Sequence, residues 1–205
     1  MPRRYADLAH WYHLVTPPRE YAEEADHVVC LLAAARPGPP PATMLELGCG
    51  GGNLASHLDV PELVLTDLSD DMLRVSRRVN PSREHVRGDM RTLRMDRRFD
   101  AVLVHDAIDD MLTERDLGAG DRGVLDLEWV HEPTPGATTD DMDFVFLLRG
   151  PDGATRVVHD PHVCGLFPQA TWDRLIAAAG LVPVDASGVA DPWPGEHVPV
   201  VVRPA

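Results

Sequence analysis

Apolar residues in the first half of the chain recur with two alternating periodicities. Residues 5–36 carry them at helical spacing, with a Thr-Pro-Pro interruption, and so predict an N-terminal helical segment. Four short apolar runs then predict strands at 43–48, 62–68, 85–90 and 99–108. Ser69 or Asp70 is suited to cap the helix after the second strand. Strands that alternate with helices predict a parallel, doubly wound α/β sheet of Rossmann-like type.

The second half of the chain has a different texture, because strand-like runs follow one another without helices between them. These runs are LDLEWV at 125–130, MDFVFLLR at 142–149 and ATRVVHD at 154–160. The last two flank RGPDGA, which is typical of a hairpin turn. We therefore expect an antiparallel β lid. FPQATWDRLIAAAGL then predicts a helix that stops at Gly180, and HVPVVVRPA predicts a final strand.

These patterns divide the chain into three parts. We expect residues 1–125 to hold the N-terminal helices and the Rossmann-like core, and residues 126–166 to form the lid over the substrate. Residues 167–205 would supply a C-terminal helix and a strand that complete the core. A length of 205 residues suits one domain with a small appended lobe.

Charge and cysteine content exclude several classes of function. The net charge is −14, whereas recognition of nucleic-acid phosphates needs a basic surface. The three cysteines form no Cys-x-x-Cys pair, which favours a reducing compartment. The sequence has neither a signal-type apolar core near its start nor an apolar run of membrane-spanning length. We expect a soluble, cytoplasmic protein without nucleic-acid or membrane partners. The sequence is also compatible with a homodimer.

A glycine-rich loop follows the first strand, in MLELGCGGGNLASHL at 44–58. Its spacing is G-x-G-x-G over Gly48, Gly50 and Gly52, and Asn53 stands where a dinucleotide fingerprint has its third glycine. All nineteen basic residues are arginine, so no lysine is available for a Walker loop. Both departures disfavour a pyrophosphate ligand. Glu46 precedes the first glycine by two residues, where its carboxylate could face the ammonium of an amino-acid tail.

Two further carboxylates follow the next two strands. Asp67 ends the second strand, the position from which carboxylates bind the two ribose hydroxyls in doubly wound folds. Asp89 follows the third strand and could accept a hydrogen bond from an adenine amino group, with Met90 packed on the ring. Together with Glu46 they place three carboxylates, in order, on three successive strand ends. This order indicates a nucleoside that carries an amino-acid tail.

The stretches LELGCGGG, LTDLSDDML, RGDM and FDAVLVHDAID resemble the class I S-adenosylmethionine-dependent methyltransferases. The resemblance runs from about Tyr12 to Asp110. It implies that Glu46 and the loop glycines line the methionine and ribose part of S-adenosylmethionine, Asp67 the ribose hydroxyls, and Asp89 with Met90 the adenine. The full set of cofactor contacts expected on this basis is Tyr21, Glu46, Gly48, Gly50, Gly52, Asp67, Leu68, Met72, Asp89, Met90 and His105.

Three other stretches narrow the resemblance to the amino-sugar N-methyltransferases. WYHLV, REYAEEA and HVCGLF are similar to segments of that group. Two tyrosines of the group close over cofactor and acceptor, and the resemblance assigns these places to Tyr12 and Tyr21. The group's aspartate after the first tyrosine is His13 here, which departs from the pattern.

Candidates for a catalytic base follow the fourth strand, because active sites lie at the carboxyl ends of parallel strands. They are His105, Asp106, Asp109 and Asp110, and the resemblance places a histidine near Asp110. His159 and His162 are further candidates, since the resemblance sets VVHDPHVCGLF over the acceptor pocket. The catalytic set expected is Asp110, His105, His159, His162 and Tyr12.

The same histidines also suggest a metal site. His159, Asp160 and His162 are close in sequence, and His105 with Asp106 could converge on them from the sheet. Histidines at i and i+3 in a strand or loop are a weak ligand signature, however. We therefore expect no metal.

One element of the expected architecture is missing. Class I methyltransferases normally continue after the fourth strand with a helix, a fifth parallel strand and another helix, and only TERDLGAGDRGVL at 113–125 is available here. Without a fifth strand, the fourth would expose an apolar edge. Our preferred explanation is a segment missing from the sequence near 117–123. The alternative is that MDFVFLLR occupies the vacant place.

The sequence thus predicts an S-adenosylmethionine-dependent methyltransferase that acts on the nitrogen or oxygen of a small molecule in natural-product tailoring. The alternative is a methyltransferase-like domain that binds the cofactor or a partner without transferring methyl. A nicotinamide oxidoreductase is a third reading, which Asn53 disfavours.

Overall fold

The computed structural model describes residues 3–35, 38–90, 92–107, 115–117, 123–130, 137, 139–150, 152–165, 168–190 and 202–204. Its helices are α1 (Tyr12–Val15), α2 (Ala22–Ala35), α3 (Asp70–Val79) and α4 (Gln169–Ala178). Its strands are β1 (Thr43–Leu47), β2 (Glu62–Asp67), β3 (Glu84–Arg87), β4 (Ala101–Val104), β5 (Arg115–Leu117), β6 (Gly123–Val130), β7 (Thr139–Arg149), β8 (Thr155–Gly165), β9 (Leu181–Pro183) and β10 (Val202–Pro204). Within the described part of the chain, no helix has the length and apolarity needed to cross a membrane.

The first sheet is parallel and has the strand order β3-β2-β1-β4. All its neighbours pair in parallel, which confirms the doubly wound arrangement. Glu46 in β1 is in register with Leu65 of β2 and Leu103 of β4. The carboxyl ends of the strands therefore meet at one edge, and the glycine loop lies at that edge.

Local sequence explains how the helices start. Ser69 has extended backbone at the N-cap of α3, and its hydroxyl accepts a hydrogen bond from the Met72 N–H at 3.2 Å, so the predicted cap is confirmed. The predicted helix at 5–36 is broken into α1, α2 and short 3-10 turns, because Pro17 and Pro18 interrupt backbone hydrogen bonding. NLASHL, directly after the glycine loop, forms a 3-10 turn, Leu54–His57.

The second sheet is antiparallel and has the order β5-β6-β7-β8, as the second half of the sequence predicts. MDFVFLLR lies in β7, between β6 and β8, so the idea that it replaces a fifth parallel strand is wrong. Among the described residues β1 is the only neighbour of β4, whose Val102 and Val104 side chains are exposed. β9 and β10 pair antiparallel in a separate two-stranded sheet.

The N-terminal segment packs against both sheets. Leu8, Trp11 and Val15 join the buried face of the antiparallel sheet, around Phe144 and Phe146. Other N-terminal side chains, Ala9 and Tyr12 among them, pack with Met72 and Val75 of α3, beside the parallel sheet. Apolar burial of this kind is the main stabilising contribution to folding. The segment thereby joins the antiparallel sheet to the edge of the parallel sheet where the glycine loop lies.

Candidate functional site

The glycine loop reverses the chain after β1 through three residues with positive φ. The φ angles are +74° at Gly48, +52° at Gly50 and +74° at Gly52, a region that favours glycine. A Cβ atom on Gly52 would overlap the Ser76 hydroxyl and the Asn80 amide. The loop therefore needs glycine for conformation and for space, and its bare backbone lines the carboxyl edge of the sheet.

Asp67 holds this loop against the start of α3. One carboxylate oxygen accepts a hydrogen bond from the Gly50 N–H at 2.9 Å, and the other accepts one from the Ser69 N–H at 2.8 Å. Burial raises the pKa of Asp67, although the backbone hydrogen bonds counteract it. Each carboxylate oxygen has two lone pairs, so Asp67 keeps acceptor capacity for a pair of hydroxyls.

Glu46 is a buried carboxyl group at the same edge. It is 2% exposed, and its Oε2 atom has no hydrogen-bond partner among the described residues. Burial raises the pKa of Glu46 to about 7, while the positive charge of His105 opposes this rise and Asp67 adds to it. A buried acceptor without a donor is unfavourable unless a ligand supplies one. The site thus fits a ligand that brings a cationic donor, as the ammonium of S-adenosylmethionine does.

His105 follows β4 and lies between two carboxylates. Its Nε2 atom is 3.2 Å from Glu24 Oε2, and its Nδ1 atom is 3.6 Å from Asp106 Oδ2. Burial lowers the pKa of His105, but Glu24, Asp106 and Glu46 together outweigh burial, so the pKa lies above its ordinary value. Asp106 has a φ of +48°, the one positive value among the described residues other than glycine.

Glu24 belongs to this site although it is not among the residues predicted from the sequence. Its position three residues after Tyr21 was an available signal, because that spacing puts both side chains on one helical face. The Tyr21 ring meets the His105 ring edge-on at 6.2 Å between centroids. Burial raises the pKa of Tyr21 far above its ordinary value, so its hydroxyl stays protonated.

Tyr12 lies across the glycine loop. A Cβ built on Gly51 would come within 2.5 Å of the Tyr12 ring, so the ring packs directly on the loop backbone. The neighbouring His13 contacts the Gly51 carbonyl through Nε2 at 3.0 Å. His13 therefore has a structural role where the related group has aspartate.

The predicted adenine contacts lie next to this loop. Met90 is partly exposed, and its methyl group would be 3.1 Å from a Cβ on Gly48. Asp89 is half-buried, and Leu68 is exposed beside the end of β2. Met72 is completely buried beneath the loop. These positions agree with an adenosyl group at this edge, and the individual contacts stay predictions.

His159 and His162 point to opposite faces of β8, because side chains alternate along a strand. His159 is exposed and pairs with Asp143 of β7. His162 is 4% exposed, packs on Phe144 at 4.6 Å between ring centroids, and has Nε2 3.5 Å from Asp160 Oδ2. The structure therefore does not bring His159, Asp160 and His162 together around one ion.

Asp160 binds the start of the chain. Its two carboxylate oxygens accept hydrogen bonds from the backbone N–H groups of Arg3 and Arg4, at 2.9 and 2.8 Å. The other two acidic candidates for a base, Asp109 and Asp110, lie outside the described residues.

The sequence matches a family model described as a methyltransferase domain over residues 44–120, which contain the glycine loop and the acidic strand ends. Two curated relatives are similar along most of their length. The dTDP-3-amino-3,4,6-trideoxy-alpha-D-glucopyranose N,N-dimethyltransferase of Streptomyces venezuelae is 26% identical, over 80% of this chain and 84% of the relative. The dTDP-3-amino-3,6-dideoxy-alpha-D-glucopyranose N,N-dimethyltransferase of Streptomyces fradiae is 28% identical, over 85% and 84%.

Solved structures show the same fold. Streptomyces venezuelae DesVI superimposes with a TM-score of 0.74 at 22% identity, covering 87% of this chain and 92% of that one. SAM-bound CalS10, an amino pentose methyltransferase from Micromonospora echinaspora, gives a TM-score of 0.68 at 20% identity over 84% and 89%. The chain thus carries a methyltransferase domain, has the class I methyltransferase fold, and is an enzyme that uses S-adenosylmethionine.

Proposed function

We propose that this enzyme methylates the amino group of a nucleotide-activated amino sugar. The observation that carries the proposal is the buried Glu46 side chain beside the glycine loop, whose Oε2 atom has no hydrogen-bond partner among the described residues and so fits the ammonium of the methyl donor. The choice of acceptor is supported by the two curated relatives, both N,N-dimethyltransferases of dTDP-linked 3-amino sugars. Transfer to nitrogen is accordingly favoured over transfer to oxygen, and a domain that binds without transferring methyl is not favoured.

Each residue at the edge of the sheet would then bind a different part of the donor. Glu46 would accept hydrogen bonds from its ammonium and Asp67 from its ribose hydroxyls. Asp89 and Met90 would bind the adenine. S-adenosylmethionine supplies an electrophilic methyl group when bound, and this chain supplies proximity and orientation. Clustered negative charge also favours the cationic donor over its neutral-sulfur product.

The acceptor would enter from the side of the N-terminal segment. Tyr12 lies over the loop where the donor's reactive end would be, and we assign it to orient the amine. The amine must be neutral to attack. Its lone pair forms the bond to the methyl carbon as the carbon–sulfur bond breaks, and the methylated nitrogen then loses a proton. We propose that Asp110 takes this proton. Asp110 lies outside the described residues.

The remaining assignments are also proposals. The antiparallel sheet of residues 126–166 would serve as the acceptor lid, with residues 1–125 as the donor-binding part and 167–205 completing the core. The three cysteines of the chain are free thiols, which supports a cytoplasmic setting; they are Cys30, Cys49 and Cys164. A homodimer without nucleic-acid or membrane partners is the assembly we propose to test.

Methyl transfer is tested by mass spectrometry of the nucleotide sugar after incubation with S-adenosylmethionine. We expect one or two methyl groups on a dTDP-3-amino-6-deoxyhexose, and none on the matched dTDP-6-deoxyhexose with a 3-hydroxyl group. Methylation of the hydroxyl sugar alone would overturn the choice of nitrogen. Binding of S-adenosylhomocysteine without turnover of either sugar would contradict the choice of acceptor.

A further inference from the structure

Glu24 and Asp106 approach opposite nitrogens of the His105 ring. Glu24 lies at Nε2 and Asp106 at Nδ1, over distances of 3.2 and 3.6 Å. Both carboxylates lie within ion-pair distance of the ring, and opposite charges this close favour the protonated form of a histidine. This arrangement therefore favours the charged form of His105.

A single metal ion explains the same cluster less well. Glu24, His105 and Asp106 bring three ligand atoms within 4.8 Å of one another. Asp106 is exposed, however, and exposed acidic groups commonly lie together without an ion. An ion pair with two carboxylates is the better interpretation.

His105 also interacts with Glu46 at the donor site. Glu46 is in register with Leu103, and His105 lies two residues further along β4, on the same side of the sheet by strand alternation. The positive charge of His105 lowers the pKa of Glu46, and the negative charge of Glu46 raises that of His105. The two groups are therefore electrostatically coupled.

We propose that Glu24 is a positioning residue of the donor site: it holds His105 as an imidazolium, and this cation keeps Glu46 ionised to receive the donor's ammonium. The proposal rests on the proposed function, since it deepens the role given to Glu46. It also assigns His105 a role other than general base, because an imidazolium has no lone pair to accept a proton.

The other charged and titratable groups near His105 and Glu46 either favour or oppose the ionisation of these two residues. Asp67 lies near Glu46 and opposes its ionisation, as the electrostatic coupling between them shows. Asp106 supports the cation on His105. Tyr21 stays neutral, and burial keeps the Cys49 thiol neutral by raising its pKa. Removing the Glu24 charge thus lowers the pKa of His105 and, through it, raises that of Glu46.

The test is calorimetric titration with S-adenosylhomocysteine, which has the donor's ammonium, on wild type, Glu24→Gln and Glu23→Gln. Glu23 precedes Glu24 on α2 and is exposed, so it is a matched control. We expect Glu24→Gln to weaken binding roughly tenfold near neutral pH, equivalent to a shift of about one pKa unit, and to recover affinity at higher pH. The ligand's own titration is common to all three proteins and cancels.

Two outcomes would overturn the proposal. Equal loss of affinity at every pH would mean that Glu24 acts through packing alone, and an unchanged pH profile would mean that it does not act on Glu46. If Glu24→Gln fails to fold, nitrogen NMR of the wild-type imidazole decides: a neutral His105 ring at about pH 7 contradicts the proposal. Failure of wild type to bind at any pH would instead refute the proposed function, which the NMR experiment does not depend on.

Discussion

The carboxylate of Asp67 accepts a hydrogen bond from the backbone N–H of Gly50, at 2.9 Å. Its other oxygen accepts one from the Ser69 N–H, so one side chain fixes both the glycine loop and the start of α3. Charge-assisted hydrogen bonds of this kind are stronger than neutral ones. The residue assigned to bind the ribose therefore also shapes the loop that holds the rest of the donor.

Asp67→Asn should weaken binding of S-adenosylhomocysteine by at least about tenfold, a change of roughly 1.4 kcal/mol. The substitution removes a charge and turns an amide N–H₂ toward a backbone N–H that needs an acceptor. Calorimetric titration measures the effect, with the exposed Asp59→Asn as control. Equal affinities for the two variants would show that Asp67 does not contact the donor.

Much of the parallel sheet could be predicted because its strands are local apolar runs with turn residues between them. Glycine spacing similarly indicated the loop, and Ser69 the cap of α3. Glu24 had only a weak local signal, its spacing from Tyr21, because its contact with His105 depends on tertiary packing that no local pattern specifies. The split of His159 and His162 between two faces, by contrast, follows from strand periodicity and was missed.

Gly52→Ala should destabilise the protein more than Gly153→Ala. Both glycines have positive φ, +74° and +78°, so each substitution incurs a conformational cost of about 1–2 kcal/mol. Only at Gly52 does the new methyl group meet neighbours, the Ser76 hydroxyl and the Asn80 amide. Overpacking adds roughly 1–3 kcal/mol. Urea unfolding gives both free energies, and equal values would mean that the loop can make room.

Asp160→Ala should release the N-terminal segment from the antiparallel sheet. It removes the acceptors for the Arg3 and Arg4 N–H groups, and a hydrogen bond to a charged group contributes about 1.5–3 kcal/mol. We expect faster hydrogen exchange in residues 3–12 and a weaker acceptor KM, since Tyr12 belongs to this segment. Unchanged exchange would contradict this role.

Asp143→Ala is the control for that experiment. Asp143 pairs with His159 on the outer face of the same sheet, where an exposed ion pair contributes about 0–1 kcal/mol. We therefore expect little change in unfolding free energy and none in exchange of the N-terminal residues. A loss equal to that of Asp160→Ala would mean that the sheet as a whole had been weakened, and not the contact of Asp160 with the N-terminal segment in particular.

Glu46 should make the free enzyme less stable as pH rises. Its pKa is about 7 in the folded chain, against an ordinary value of 4.5, so between these values the folded state retains a proton that the unfolded state has lost. The stabilisation that comes from this retained proton is complete below a pH of 4.5, decreases between 4.5 and about 7, and is lost above about 7. At about 1.4 kcal/mol per pKa unit, the total fall is on the order of 3 kcal/mol.

Glu46→Gln should remove this fall, because its amide does not titrate. The difference in unfolding free energy between variant and wild type, measured with urea at a series of pH values, should grow in favour of the variant from about pH 4.5 to about pH 7. Glu62→Gln, at an exposed site on β2, should give a flat difference. A difference for Glu46→Gln that is independent of pH would contradict the raised pKa. The stabilised variant should also bind S-adenosylhomocysteine more weakly, since the same buried charge that destabilises the free protein receives the ligand's ammonium.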